Sequence, residues 1–138
     1  MNGRELAQFA ARLADEKKGS DIVIYDLRGL SDVTDYFVIA TAQSKLQARA
    51  IVAELEKDLK VRGVLKLGRE GVGDTQWILM DYGDVVIHVF SPQLRDYYSL
   101  ESLWGDAPKV SWREGAAGDV PRPAPAGAPK SHKPFAHG

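Results

Sequence analysis

The sequence predicts an α/β protein with a mixed sheet of the α+β type. The sheet has five strands and flanking helices, in the order αββαβββα. Three observations carry this prediction. Apolar residues recur at helical spacing in two segments, β-rich apolar runs alternate with and follow them, and Tyr82-Gly83 forms a two-residue connection between the last two runs. The 138 residues, of which 44% are hydrophobic and 27% charged, suit one globular domain with an appendage.

Two amphipathic helices are predicted in the first half of the chain. The first covers residues 3–18 and ends at Gly19. The second has Ser44 as its N-cap, with Gln47 three residues on as in a capping box, and Thr41 is the alternative cap. The buried face of this second helix is predicted to consist of five apolar residues: Ala48, Ile51, Val52, Leu55 and Leu59.

Five strands are predicted around these helices, over residues 21–27, 35–40, 64–67, 75–81 and 84–90. The short run at 64–67 is expected near a sheet edge. Residues 68–74 are predicted to form a loop, because closely spaced glycines oppose regular structure. Pro92 suits the first turn of a last helix that runs to about Leu103, with Leu100, Leu103 and Trp104 packing it on the sheet.

The composition changes abruptly near residue 106, since six of the seven prolines lie from Pro108 onward. This predicts a folded domain over residues 1–105 and a disordered Pro/Ala/Gly-rich tail over 106–138. The net charge is −1; residues 108–138 hold five basic and two acidic side chains, which leaves −4 on residues 1–107. A mildly acidic folded part opposes a nucleic-acid groove and favours a basic protein partner.

Several classes of protein are excluded by what the sequence lacks. It contains no cysteine, so disulfides and thiolate metal sites are excluded. No apolar run reaches the roughly 18 residues of a membrane helix. Glu5 and Asp15 interrupt the N-terminal stretch where a secretory signal needs an apolar run. We therefore expect a soluble, cytoplasmic protein.

Candidate chemical sites are few. Asp81, Asp84 and His88 resemble a metal or acid–base cluster, but His88 lies roughly 13 Å along a strand from Asp84 at about 3.3 Å per residue. Residues 68–73 lack the lysine and the following helix of a phosphate-binding loop. We expect neither a catalytic site nor a metal or other cofactor.

Trp77 and Leu79 alternate with Ile78 and Met80, so they are predicted to point to one face of their strand. Two interpretations stay open from the residues alone. The pair could lie in the core beneath a helix, or Trp77 could anchor a partner on an exposed sheet face, where tryptophan is enriched.

Taken together, these residues resemble the ribosomal silencing factor (Iojap) family over about residues 3–105. The pattern comprises Asp35-Tyr36-Phe37-Val38-Ile39-Ala40 before a serine-led helix, Glu70-Gly71 before Trp77, Asp81-Tyr82-Gly83-Asp84-Val85-Val86-Ile87-His88-Val89-Phe90, and then Arg95, Tyr98, Leu100-Glu101 and Leu103-Trp104. The segment Thr41-Ala42-Gln43-Ser44-Lys45 departs from the glycine-serine and arginine-histidine pattern usual at this turn.

The resemblance implies a binding protein. Family members bind the large ribosomal subunit at protein L-fourteen, block its joining to the small subunit, and repress translation when nutrients are short. Their fold is similar to that of nucleotidyltransferases without the activity, and homodimers are common. We expect the partner contact to involve Trp77, Leu79, Asp81, Tyr82 and Asp84, with His88 and Asp35 as second-rank candidates.

Two alternatives compete with ribosome binding. A general adaptor could bind some other protein through the same face. A nucleotidyltransferase-like enzyme would need two carboxylates that hold Mg²⁺, for which Asp32 and Asp35 are poorly placed because they straddle a turn and a strand start. The basic tail could add weak, salt-sensitive contact with ribosomal RNA.

Overall fold

The structure is a computed structural model that describes residues 1–71, 76–98 and 107–113. Its elements confirm the predicted order αββαβββα. They are α1 (Gly3–Glu16), β1 (Ser20–Asp26), β2 (Tyr36–Thr41), α2 (Lys45–Val61), β3 (Gly68–Glu70), β4 (Trp77–Asp81), β5 (Val85–Phe90) and α3 (Pro92–Tyr98).

The five strands form one mixed sheet in the order β1-β2-β5-β4-β3. β2 and β5 run parallel to each other, and the other three pairs are antiparallel. The parallel pair lies at the centre, and all six residues of β5 are buried. A strand buried on both faces reads as a nearly continuous apolar run, which is how the sequence predicted a covered strand over residues 35–40. The five-stranded mixed sheet is thus confirmed, while its likeness to nucleotidyltransferases stays a prediction.

The two long helices cover one face of the sheet. The larger core cluster joins their apolar stripes to strand residues such as Ile24, Val38 and Ile87, all of which are almost fully buried. A smaller cluster lies on the opposite face and includes Tyr25, Leu27, Ile39, Phe90 and Ala107. Partly buried Leu94 of α3 packs on this second cluster. The sheet therefore has two differently covered faces.

The ends of both long helices are fixed by side-chain caps. Asn2 and Glu5 form a complete capping box at α1. At α2, Ser44 is the N-cap as predicted and accepts from the Gln47 N–H. The Gln47 side chain, however, accepts from the N–H of Gln43 at 2.6 Å, so the predicted capping box forms only in half. Of the five residues predicted on the buried face of α2, four are buried and Ala48 is half-buried.

The end of α1 differs in detail from the prediction. Lys18 takes the left-handed conformation after the helix, with φ +73°, a position usually given to glycine. Gly19 is required for another reason. A Cβ atom at Gly19 would lie 3.0 Å from the carbonyl oxygen of Ala14, closer than side chains normally come to a backbone atom.

The prediction for the third strand was right in its edge position and wrong in its residues. Residues 64–67 are not a strand, and Leu65 and Leu67 are 73% and 62% exposed. Gly68–Glu70 forms β3 instead, although residues 68–74 were predicted to be an irregular loop. The reason is register: Gly68 pairs with Asp81, the last residue of β4, so the pairing runs through the glycine segment.

The predicted boundary at residue 105 placed residues 107–113 in the disordered tail, whereas the structure packs them against β1. Pro108 accepts from the Asp26 N–H, Val110 donates to the Ile24 carbonyl, and a bridge joins Tyr25 to Lys109. We call residues 107–113 the strap. Its Ala107, Val110 and Trp112 are buried. Its three apolar residues, spread over seven positions next to a Pro/Ala/Gly-rich stretch, gave too weak a signal to separate it from the tail.

The structure describes the last predicted helix only in part. α3 begins at Pro92, as predicted. Its expected continuation to Leu103, including the packing of Leu100 and Trp104, lies outside the described residues, as does the tail beyond residue 113. Within the described part of the chain, no helix combines the length and apolarity needed to cross a bilayer.

Replacing the strap tryptophan should destabilise the fold. Trp112 is 8% exposed, its indole N–H donates to the Ile22 carbonyl at 3.4 Å, and its own carbonyl accepts from Arg12. We expect Trp112→Ala to lower the free energy of unfolding by about 3 kcal/mol in urea titrations. Ser111→Ala, an exposed strap position whose carbonyl contact to Gln8 is kept, is the control. Equal stabilities of the two variants would contradict the packing of the strap.

Candidate functional site

The β4–β5 hairpin distributes its side chains to the two faces of the sheet. Ile78 and Met80 are buried beneath the helices, whereas Trp77, Leu79 and Asp81 alternate with them and are half-buried on the opposite face. This confirms the predicted alternation. Trp77 packs against the smaller core cluster, so it lies neither beneath α1 and α2 nor fully in solvent. Trp77 therefore contributes to packing and keeps accessible surface, and its role as a partner anchor stays a prediction.

His88 lies on the same face, directly opposite Leu79 in the β4–β5 register. Its side chain is almost completely buried, at 4% exposure. The Trp77 indole Nε1–H donates a hydrogen bond of 3.1 Å to His88 Nδ1. Because Nδ1 accepts, the neutral ring carries its proton on Nε2, which is buried and has no hydrogen-bond partner among the residues that the structure describes. Burial lowers the pKa of His88 to about 4.

Aromatic rings surround this histidine. The Phe37 ring meets the imidazole edge-on at 4.6 Å between centroids, and the Phe90 ring stacks at 5.9 Å. Trp77 also contacts Phe90 at 5.2 Å. Phe37, Trp77, Leu79, His88 and Phe90 together form what we call the aromatic face. Phe37 and Phe90 were not predicted as site residues, although the period of two that placed Trp77 and Leu79 would have found them once the pairing of the strands was known.

Tyr82 does not share this face, contrary to expectation. It is 8% exposed and belongs to the helix-side cluster with Ile78 and Met80. Burial, with a smaller contribution from the nearby Glu56 carboxylate, raises the pKa of Tyr82 to about 12. The alternation along β4 already places position 82 with 78 and 80, so grouping Tyr82 with Trp77 and Asp81 was wrong in geometry.

The backbones of three predicted site residues, each an aspartate, lie close together at the hairpin end of the sheet. Asp81 accepts from the Gly83 N–H at 2.8 Å, the local hydrogen bond expected of aspartate at a turn. The Asp84 carbonyl accepts from the N–H of Asp35 and of Tyr36, both at 3.0 Å, which ties the start of β2 to the hairpin. Asp84 is exposed, and Asp35 and Asp81 are half-buried. We call Asp35, Asp81 and Asp84 the acidic corner.

The described site combines aromatic rings and carboxylates but holds no group of potential metal ligands. Across the described ranges 1–71, 76–98 and 107–113, no three His, Asp or Glu side chains are grouped so that they could hold a metal ion. His88 is enclosed by rings, and Asp81 bonds its own turn. An open cleft of about 530 Å³ lies at the other end of the sheet, beside Ser44 and Ser91.

Acid should destabilise the fold through His88. Its pKa is about 4 when folded and 6.5 ordinarily, so the unfolded chain binds more protons between these values. The free energy of unfolding should therefore fall as the pH drops from about 6.5 to about 4. At about 1.4 kcal/mol per pH unit, the full loss is about 3 kcal/mol. Below pH 4 both states are protonated, and this contribution no longer changes.

Urea unfolding of the parent chain and His88→Leu from pH 7 to pH 4 checks this expectation. The carboxylates titrate in both proteins, and His132 and His137 are retained in both, so the difference between the curves isolates His88. Two parallel curves would show that the imidazole is not buried as described.

A family model described as "Ribosomal silencing factor during starvation" (RsfS) matches residues 1–136 of this chain. The match extends beyond residue 105, where the sequence resemblance ended, and so includes the strap. The chain is also 42% identical over 108 residues to the ribosomal silencing factor RsfS of Bacillus subtilis, which corresponds to 78% of this chain and 92% of that protein.

Two further proteins are similar to this chain. A Mus musculus protein named mitochondrial assembly of ribosomal large subunit protein 1 is 33% identical over 95 residues, which are 67% of this chain and 42% of that protein. A crystal structure of a Chromobacterium violaceum protein superposes with a TM-score of 0.72 at 37% identity, covering 86% of this chain and 98% of that one. The fold, the order of the motifs and these similarities show that the chain belongs to the ribosomal silencing factor family.

Proposed function

We propose that this chain binds the large ribosomal subunit at protein L-fourteen and thereby prevents the small subunit from joining. As a member of the ribosomal silencing factor family, the protein is a ribosome-associated regulator of translation. The proposal adds the subunit, the contact and the steric mode of action, and it places that action under nutrient limitation. The name of the mouse relative, which refers to the large subunit, supports the choice of subunit.

The observation that carries the proposal is the half-buried pair Trp77 and Leu79 on the aromatic face. Tryptophan is enriched at interface positions that contribute most to binding, particularly where rigid packing holds the side chain in place. The Trp77 side chain is held in this way, because its indole packs on Phe90 and is hydrogen-bonded to His88. The face thus presents apolar side chains that are already ordered before any partner arrives.

The acidic corner supports a basic partner. Asp81 follows Trp77 and Leu79 on the same face, about 13 Å along the strand from Trp77 at roughly 3.3 Å per residue. Asp84 and Asp35 lie beside it at the hairpin end. An apolar centre with carboxylates at one margin suits a surface that combines an apolar patch with lysine or arginine side chains, such as that of a ribosomal protein.

No catalysis is required for the proposed action. A domain of about 105 residues has a radius of gyration near 13 Å. A body of this size, held on the surface where two subunits must meet, keeps them apart by its volume. A contact of roughly 800 Å² on each side would be enough to hold it there.

Removing the indole should abolish most of the binding. We expect Trp77→Ala to weaken binding to purified large subunits by about 2 kcal/mol, or roughly thirtyfold, because an anchor side chain is lost. The measurement is sedimentation of large and small subunits at a Mg²⁺ concentration that permits joining. The parent chain should travel with the large subunit and reduce the joined peak, and the variant should do neither at the same concentration.

Leu46→Ala is the matched control, since Leu46 is 75% exposed on α2 and away from the aromatic face. It should bind like the parent chain. If the parent chain stays at the top of the gradient and joining is unaffected, the proposed function is refuted and an adaptor with another partner is left. If Trp77→Ala unfolds, Trp77 serves mainly as a core residue and its surface assignment is wrong.

Neutralising the acidic corner should slow association. Asp84→Asn removes one exposed negative charge, and we expect an association rate with large subunits about two- to fivefold lower, with a smaller dependence on salt. Asp15→Asn makes the same change of net charge. Asp84 packs beside Gly3, so Asp15 lies about 18 Å away along α1 at roughly 1.5 Å per residue. Equal rates for the two variants would contradict a role for the corner.

A further inference from the structure

We infer that His88 is a positioning residue for partner binding: its buried imidazole holds the Trp77 indole in the orientation that meets the partner. The inference rests on the proposed function and deepens it. In this role His88 acts on binding through Trp77, and the imidazole itself does not need to contact the partner.

The hydrogen bond between Trp77 and His88 can form in only one direction, with the indole as donor and the imidazole as acceptor. The indole Nε1–H is a donor, and a neutral imidazole can accept it at just one nitrogen. In the structure Nδ1 accepts at 3.1 Å, which leaves the second nitrogen as the one that carries the proton. Phe37 packs edge-on against the imidazole at 4.6 Å between ring centroids, and Phe90 stacks on it at 5.9 Å. Ring packing therefore fixes the orientation of the His88 imidazole, and the hydrogen bond to its Nδ1 fixes the orientation of the Trp77 indole.

Packing alone does not call for a histidine at this position. The proton-bearing Nε2 is buried and has no hydrogen-bond partner within residues 1–71, 76–98 and 107–113, so no group in these ranges offsets its desolvation. An apolar side chain of similar volume would fill the same space among the rings without this penalty. The polar group that the sheet retains here has one hydrogen bond to a neighbour, and that neighbour is the proposed anchor.

Fixing the rotamer of the Trp77 indole before the partner arrives favours binding. A tryptophan on a sheet surface can adopt several rotamers, and ordering it at the moment of binding would subtract from the affinity. With the hydrogen bond in place, that ordering is completed when the chain folds. Losing one such hydrogen bond should weaken binding by roughly three- to tenfold.

The test compares four variants of the full chain in binding to purified large subunits: His88→Leu, His88→Asn, Trp77→Phe and the double variant Trp77→Phe/His88→Leu. His88→Leu should bind about three- to tenfold more weakly while its thermal midpoint is equal to or above that of the parent chain. His88→Asn keeps an acceptor on Cγ, where Nδ1 stands, and should bind within about twofold of the parent chain even if it is less stable. Trp77→Phe removes the donor, so the added His88→Leu change should cost no further affinity.

The indole proton gives a second readout that does not depend on the ribosome. The Trp77 Nε1–H resonance, identified by its loss in Trp77→Phe, should exchange with solvent at least about tenfold faster in His88→Leu than in the parent chain. Unchanged exchange would mean that His88 does not hold the indole and would overturn the inference.

The outcomes also separate this inference from the proposed function. If Trp77→Ala loses binding while His88→Leu binds like the parent chain, the proposed function stands and the inference is wrong. If the effects of Trp77→Phe and His88→Leu add fully in the double variant, His88 acts on binding by another route, and the inference is again wrong. If Trp77→Ala binds normally, the proposed contact surface and the inference fail together.

Discussion

The parallel pairing of β2 with β5 is the contact on which the rest of this structure depends. Six residue pairs, from Tyr36 opposite Val85 to Thr41 opposite Phe90, join two strands that are buried along nearly their whole length. Each of these strands has another neighbour on its far side, so neither presents an edge to solvent. Because α1 and α2 bury one face of this pair, every second side chain of the hairpin must emerge on the other face. The aromatic face is a consequence of that arrangement.

The outer strand β1 is handled differently from the centre. Its free edge would present unpaired backbone groups, a liability that proteins commonly cover. Here the strap pairs with it through Lys109 opposite Tyr25 and fills the adjoining groove with Trp112. A segment that reads as the start of a tail is thus part of the folded unit. With this edge occupied by the strap, β1 is not available along Tyr25 for the addition of a partner's strand.

Stability and recognition make different demands at the aromatic face. Burial of His88 lowers its pKa, and its Nε2 has no hydrogen-bond partner in the described part of the chain; both effects oppose folding. The same burial gives the imidazole a fixed orientation among Phe37 and Phe90, which a solvent-exposed acceptor would not have. In the proposed contact, such fixed side chains would supply the specificity, and the acidic corner would add a charge pattern at one margin.

The sequence by itself determined the order of the elements, because helical and alternating periodicities are local properties of the chain. It also determined the hairpin at Gly83, the buried stripe of α2 and, through an ordered series of motifs, the family. Alternation along β4 was sufficient to separate Trp77 from Ile78, and applied one step further it would have placed Tyr82 with the core. Only the tertiary structure decided the rest. The position of β3 depends on its register with Asp81 of β4. The strap depends on a groove that exists only after β1 and α1 have packed. The acceptor of the Trp77 indole hydrogen bond, His88, is eleven residues away on another strand. Each of these is a contact between segments distant in the chain, which no local pattern encodes.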